Sequence, residues 1–549
     1  MIDAHVPCGS DRPPPPGAPA AACIRGRCAV ALLLLTATAS CAPPGDASGG
    51  GAGAPRVEVG PCVLFALPAD ALVARARCGA VRVPEDRTRP HARQLALRVV
   101  VLPARRQPAE GAVLWLDGGP GRGAAHDARY PAAELAALRG TRDLVLVDQR
   151  GTGRSAPLDC AGDEGRIGPH LAGAFPVAAV RACAAGLARR ADLTQYTTAA
   201  AADDLADVLA ALGYARADVV GGSYGTRLAL ALLRQHPARV RTVVLHGVVG
   251  PAQPIPLAAA AAGGRALAHA LAACRADVAC HRAAPNAAGD LGAVLARLGQ
   301  GPVVTRVWNG RRLEHETVTI TARGFAERLW GMLYRPDDVH RWAPLVRQAA
   351  AGNWAPFARA AAQQQRRRRW GRSEGLLLSV LCAEDAPRLA RALATPSGTA
   401  RLASASPLGL PMAQELVAAC AAWPRAPLAP ADTLPVVSEA PVLLLSGGLD
   451  PVTPPEWGDA VARTLAHAVH VVEPRAGHAQ GSACTRALIA TVVRAGTTAV
   501  VRRAGLPAAC VEAHVRLPAA SPAPPLPSVL PQVLPQVLPR VLPPPRSAP

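Results

Sequence analysis

A chain of 549 residues, half of them hydrophobic, can bury a substantial core and is too apolar to be disordered. Its net charge of +20 comes from 59 basic residues, all of them arginine, while aromatic residues make up only 3%. The arginines are scattered apart from Arg366 to Arg369, and no zinc-finger spacing, aromatic RNA-binding motif or phosphate loop accompanies them, so no nucleic-acid partner is expected.

The N-terminus has the order of an export signal. Arg25 and Arg27 precede an apolar run from Ala29 to Leu35, followed by small residues and Cys41. That run is too short to span a bilayer. Ala37-Thr38-Ala39 fits a signal-peptidase site, and Thr38-Ala39-Ser40-Cys41 is an imperfect lipoprotein site. Contact with a membrane is therefore expected only through a lipid on Cys41. The leader is placed at 1–41, and the Gly/Pro/Ala/Ser-rich stretch 42–55 reads as a flexible tether.

From 56 to 250, short aliphatic runs alternate with Ala/Leu-rich helical stretches, the pattern of a parallel sheet wrapped by helices. Strands are expected at Val113–Leu116, Leu144–Val147, Val219–Val220 and Thr242–Leu245. Each ends near Gly or Asp, where open α/β sheets place their chemistry. From 251 to 425 the strand signals fade into Ala/Leu/Arg-rich sequence, expected to be an inserted helical lid. Strands return at Val442–Leu445 and Val469–Val472, which complete the core over 426–516. Beyond 517 a Pro-rich, VLP-repeating tail excludes helix interior and central strand and is expected to be extended and disordered.

Fourteen cysteines support export. Four lie in or beside the leader, and the other ten fall into five neighbouring couples: Cys62/Cys78, Cys160/Cys183, Cys274/Cys280, Cys382/Cys420 and Cys484/Cys510. Sequential disulfide pairing is the expectation, although spacing alone does not fix connectivity. There is no CxxC and no cysteine couple with histidines at ligand spacing, so no metal is expected.

The chemistry begins at GGSYG, 221–225. It matches G-x-S-x-G, follows the strand at Val219–Val220 and precedes a helix-forming run, the context of a nucleophile elbow at Ser223. Gly118-Gly119-Pro120-Gly121 follows an earlier strand, where backbone N–H groups of Gly119 and Tyr224 would face a developing oxyanion. Asp450 and His478 each follow a later strand. The order Ser, Asp, His supplies a nucleophile, a general base at His478 and an orienting acid at Asp450. No organic cofactor is required by this chemistry.

GGPG at 118–121, DQRGTGRS at 148–155, GGSYGT at 221–226, GLLLSVLCAEDAPR at 375–388, CAAWP at 420–424, SGGLDPVTPPEWG at 446–458 and GHAQGSAC at 477–484 together resemble exported proline iminopeptidase-like and tripeptidyl aminopeptidase-like hydrolases. The resemblance covers roughly 60–515. It implies an α/β-hydrolase fold and peptide-bond cleavage near a free N-terminus, with the catalytic roles on Ser223, Asp450 and His478. It also makes Glu384 the candidate anchor for a substrate α-ammonium, while Asp385, just before Ala386-Pro387, reads as a helix cap. Asp148, Arg150 and Ser155 read as braces for the adjoining loop. Asp117 departs from the family, whose iminopeptidase branch often carries histidine there. The substrate expected is a short peptide, with a small acyl ester as the alternative. A surface-binding protein without activity is the reading from another class.

Overall fold

The computed structural model of the chain describes residues 57–62, 75–125, 134–162, 165–171, 173–255, 259–369, 371–405, 409–479 and 481–516. The leader with Cys41, the tether and the proline-rich tail lie outside these residues.

The described strands are, in chain order, β1 (Val57–Pro61), β2 (Arg77–Pro84), β3 (Gln94–Leu102), β4 (Ala112–Leu116), β5 (Asp143–Val147), β6 (Ala217–Gly222), β7 (Val240–His246), β8 (Val303–Asn309), β9 (Glu314–Ile320), β10 (Ser438–Gly447), β11 (Leu465–Glu473) and β12 (His514–Arg516). Ten of them form one sheet in the order β1-β2-β3-β5-β4-β6-β7-β10-β11-β12. The middle run β5-β4-β6-β7-β10-β11 is parallel, and the flanking pairs are antiparallel. This is an α/β-hydrolase fold. Every residue of β4 and β5 is buried, as a central parallel strand covered on both faces requires.

Alternate residues feed two cores. Val99, Leu114, Val145, Val219 and Val243 join the helices Val177–Leu187, Thr198–Ala211 and Tyr224–Gln235 on one face. Val100, Val113, Leu144, Val220 and Val244 face the helix Ala483–Ala495 on the other. The six strands expected from sequence are present as β4, β5, β6, β7, β10 and β11. The antiparallel β1–β3 ribbon was not named, because β2 and β3 interrupt their apolar residues with Arg77, Gly79, Arg82 and Arg98.

Between β7 and β10 the chain leaves the sheet and builds a second core around Phe325, Trp342, Trp354 and Phe357. Helices dominate, but β8 and β9 pair as an antiparallel hairpin, which corrects the reading of this segment as helical alone. Few positions carry that strand signal: Val303, Val307, Val318 and Ile320 are buried, while Val304 and Trp308 are exposed alongside charged and threonine residues. The segment returns to the sheet through the helix Glu374–Val380, a π turn at Leu381–Asp385 and the helix Ala386–Leu393.

Five disulfides join the neighbouring couples Cys62–Cys78, Cys160–Cys183, Cys274–Cys280, Cys382–Cys420 and Cys484–Cys510, the sequential pairing that was expected. Cys382–Cys420 closes the longest of these spans, 38 residues, and ties the π turn to the helix Gly409–Cys420. Replacing both cysteines by alanine is expected to cost about 2–4 kcal/mol through the freed unfolded chain. Urea unfolding of the double variant checks this, and a loss below about 1 kcal/mol would mean that helix packing alone holds the junction.

Candidate active site

Ser223 stands between β6 and the helix Tyr224–Gln235, with φ 55° and ψ −123°. A non-glycine residue there costs about 1–3 kcal/mol and persists only when its surroundings fix it. The surroundings do so. The Ser223 N–H donates to the His246 carbonyl at 2.9 Å, and the Ser223 carbonyl accepts from the Thr226 hydroxyl at 2.6 Å and from the Thr226 N–H at 2.9 Å. The motif's glycines are steric necessities: a Cβ on Gly221 would lie on the Gly225 carbonyl, and one on Gly225 would lie on the Leu116 carbonyl.

Asp450 and His478 arrive from the ends of β10 and β11. His478 Nε2 lies 3.0 Å from Ser223 Oγ, and its Nδ1 lies 2.8 Å from Asp450 Oδ2. The Asp450 carboxylate also accepts from the Val452 N–H at 2.7 Å, the Thr453 N–H at 2.8 Å and the Thr453 hydroxyl at 2.6 Å. Burial by itself would raise this carboxyl, but His478 beside it and the Thr453 donors hold it below the ordinary aspartate value. Asp450 therefore stays ionised wherever the neighbouring imidazole needs a counter-charge. In this arrangement a serine hydroxyl can pass its proton to an imidazole whose tautomer is fixed from behind.

The Gly118–Gly121 turn lies against the serine: a Cβ on Gly118 would come 3.0 Å from Ser223 Cβ. Gly119 has φ 121°, a conformation that favours glycine. The Tyr224 N–H, at the first helical position, has no intrahelical acceptor. Behind the turn, Asp148 accepts from the Ala125 N–H at 2.9 Å and the Arg154 N–H at 3.0 Å. Arg150 grips Asp204 at 2.6 and 2.7 Å and donates to the carbonyls of Glu85 and Gln195, while Ser155 accepts from the Arg98 N–H.

These groups open into a cavity of about 690 Å³ shared by the sheet edge and the insert. Five carboxylates line it (Asp117, Glu134, Glu327, Asp338 and Glu374), together with as many arginines. Trp330, Tyr334, Phe175 and Leu377 supply apolar wall. The insert also holds the histidine: the Tyr334 carbonyl accepts the His478 N–H at 3.0 Å, and the Tyr334 ring meets the imidazole edge-on at 5.0 Å. Sequence reasoning missed Tyr334, for which no local signal exists. It also missed Thr453, whose place three residues after Asp450 is a familiar side-chain turn spacing.

Glu384, expected as the amine anchor, is not among the residues that line this cavity. Its carboxylate accepts from the Thr198 N–H at 2.8 Å and the Thr198 hydroxyl at 2.9 Å, and it lies 3.3 Å from Arg227. Thr198 Oγ1 in turn lies 2.9 Å from the hydroxyl of Tyr224, the residue after Ser223. Asp385 is not a helix cap either. It pairs with Arg227 at 3.1 Å and Arg388 at 2.8 Å and accepts from the Ile255 N–H, because the helix runs through a π turn here rather than starting anew. Removing one member of a buried ion cluster leaves its partners uncompensated. Glu384→Ala should thus cost about 3 kcal/mol in urea unfolding while leaving KM for free-amine substrates within about twofold. A large rise in KM without loss of stability would restore Glu384 as an anchor.

Residues 111–271 match the alpha/beta hydrolase fold family model, and residues 406–502 match that of TAP-like proteins. A tripeptidyl aminopeptidase of Streptomyces lividans is 31% identical over 196 residues, 32% of this chain and 36% of that protein. A proline iminopeptidase of Neisseria meningitidis is 31% identical over 137 residues, 25% of this chain and 32% of its own length. Serine protease Hip1 of Mycobacterium bovis is 32% identical over 196 residues, 33% of this chain and 37% of its own. The chain thus spans about a third of the length of each of these relatives.

Proposed function

We propose, from this chain's α/β-hydrolase fold and the geometry at Ser223, that it is an exported serine aminopeptidase that cleaves short peptides near a free N-terminus. Ser223 attacks the scissile carbonyl while His478 takes its proton, and Asp450 stabilises the resulting imidazolium. The N–H groups of Gly119 and Tyr224 receive the oxyanion, His478 then protonates the leaving amine, and water releases the acyl fragment from Ser223. The observation that carries this reading is the 3.0 Å and 2.8 Å hydrogen-bond chain from Ser223 to Asp450, opening into a cavity lined by both carboxylates and guanidinium groups. Such a lining suits a substrate with charged ends better than a neutral acyl ester.

Export is supported by the five disulfides, which persist in oxidising compartments. The leader at 1–41, the covering role of the insert at 251–425 and the lipid on Cys41 belong to the same proposal. The names of the relatives support a peptide substrate.

Glu327 is the most buried of the cavity carboxylates, and it is held at 3.0 Å by Arg323 and 3.2 Å by Arg328. It is the group assigned to the substrate ammonium. Glu327→Gln is expected to raise KM for free-amine aminoacyl and tripeptidyl anilides at least about tenfold with kcat little changed, a loss of binding common to ground and transition states. N-blocked substrates should be poor for both proteins. Asp450→Asn should lower kcat by about 10⁴-fold, as loss of the orienting acid does in triads generally. Turnover of nitrophenyl esters with no cleavage of any free-amine anilide would overturn the peptidase reading in favour of an esterase.

A further inference from the structure

The triad mechanism uses one imidazole, yet a second faces the same cavity. His246 is the last residue of β7, and its own carbonyl accepts the Ser223 N–H at 2.9 Å. His246 lines the cavity with Ser223, Val249, Thr453 and His478. Neither ring nitrogen has a hydrogen-bond partner among the described residues, and the residue is partly exposed where the cavity opens. Burial, with His478 next in effect, pushes it down to about 4, so the ring is neutral over the working range. A neutral imidazole carries one N–H donor and one free acceptor, and both can meet a substrate without adding charge.

Strand order gives the side of the substrate it meets. The sheet runs β4-β6-β7-β10-β11. The oxyanion turn follows β4, on one side of Ser223, while His246 ends β7 on the other. His478 reaches Ser223 from that second side, across β10 and β7. The general base must also deliver the proton to the departing nitrogen, so the leaving fragment lies on the same side.

We propose that His246 is a substrate-binding residue of the leaving-group side, hydrogen-bonding the peptide unit just beyond the scissile bond. The assignment rests on the aminopeptidase reading for the nature of that unit. A leaving fragment of two or more residues offers a further carbonyl and N–H to the ring, whereas an anilide or nitrophenyl leaving group has neither beyond its departing atom. His246 thus separates real peptides from chromogenic surrogates that share the same acyl part.

The test compares kcat/KM on a short peptide and on the anilide with the same acyl residues, for wild type and for His246→Ala, His246→Phe and His246→Gln. Alanine and phenylalanine should lower the peptide value by about 10- to 100-fold, the effect of leaving one buried hydrogen bond unmade. Glutamine, which keeps a donor and an acceptor, should recover to within about fivefold of wild type. On the anilide, the alanine and phenylalanine variants should lose at least about fivefold less than on the peptide, and fluorophosphonate labelling at Ser223 together with urea unfolding reports on the nucleophile and the fold. Equal losses on peptide and anilide, or a phenylalanine variant as active on peptide as wild type, would overturn the proposal. If wild type cleaves esters only, the peptidase reading falls separately. The same ratio is then read between an ester whose leaving group carries an amide and a nitrophenyl ester, so His246 is still decided.

Discussion

The structure depends on holding one residue, Ser223, in a backbone conformation that a side chain rarely takes. The turn from β6 into the helix must be tight enough to lift the hydroxyl above the sheet, and tightness brings backbones into contact. Gly225 lies against the Leu116 carbonyl and Gly221 against Gly225, so the neighbouring strand β4 and the nucleophile helix approach without side chains between them. The strain stored at Ser223 is offset by bonds from three directions: the His246 carbonyl, the Thr226 hydroxyl and N–H, and the packing of the helix that follows. Strand β7 therefore acts as more than scaffold, because its last residue both fixes the serine backbone and lines the cavity.

That constraint spreads into the insert, which touches the machinery at three points. The Ser373 N–H donates to the Gly121 carbonyl at 2.8 Å, pinning the turn beside the serine. The Tyr334 carbonyl holds the His478 N–H. Glu384 and Asp385 grip Arg227, on the first turn of the nucleophile helix, and Glu384 reaches the Tyr224 hydroxyl through Thr198. An insert fastened in this way is part of the site's geometry. Any movement that admits substrate must leave these three contacts in place or disturb the turn, the histidine or the helix directly.

The sequence was legible where chemistry is local. The G-x-S-x-G spacing names its own glycines and serine, and the strand-end positions of Asp450 and His478 follow from short apolar runs. What could not be read is what depends on distant partners. Glu384 sits 157 residues from Arg227 and 186 from Thr198, so nothing local in the sequence places its carboxylate against the nucleophile helix and off the lining of the cavity that holds Ser223. Asp385 before Ala386-Pro387 looked like a helix start because a π turn carries no sequence mark of its own. The β8–β9 hairpin and the β1–β3 ribbon escaped notice since their buried positions are few and polar residues alternate with them. Tertiary context decided each of these cases.

The absence of lysine bears on the same point. A guanidinium offers five donors in a rigid plane, so one buried arginine can satisfy several acceptors at once where an ammonium would meet them as a point charge. Arg150, fully buried, holds both oxygens of Asp204 and the carbonyls of Pro84, Glu85 and Gln195. Arg227 joins Glu384, Asp385 and the Gln253 carbonyl beneath the nucleophile helix. A share of the cationic charge is thus spent as internal clamps, with the carboxylates they hold kept from the solvent. A net charge of +20 is then a poor guide to what the surface attracts, and the chain's function has to be sought in the cavity, where arginines and carboxylates meet in equal number.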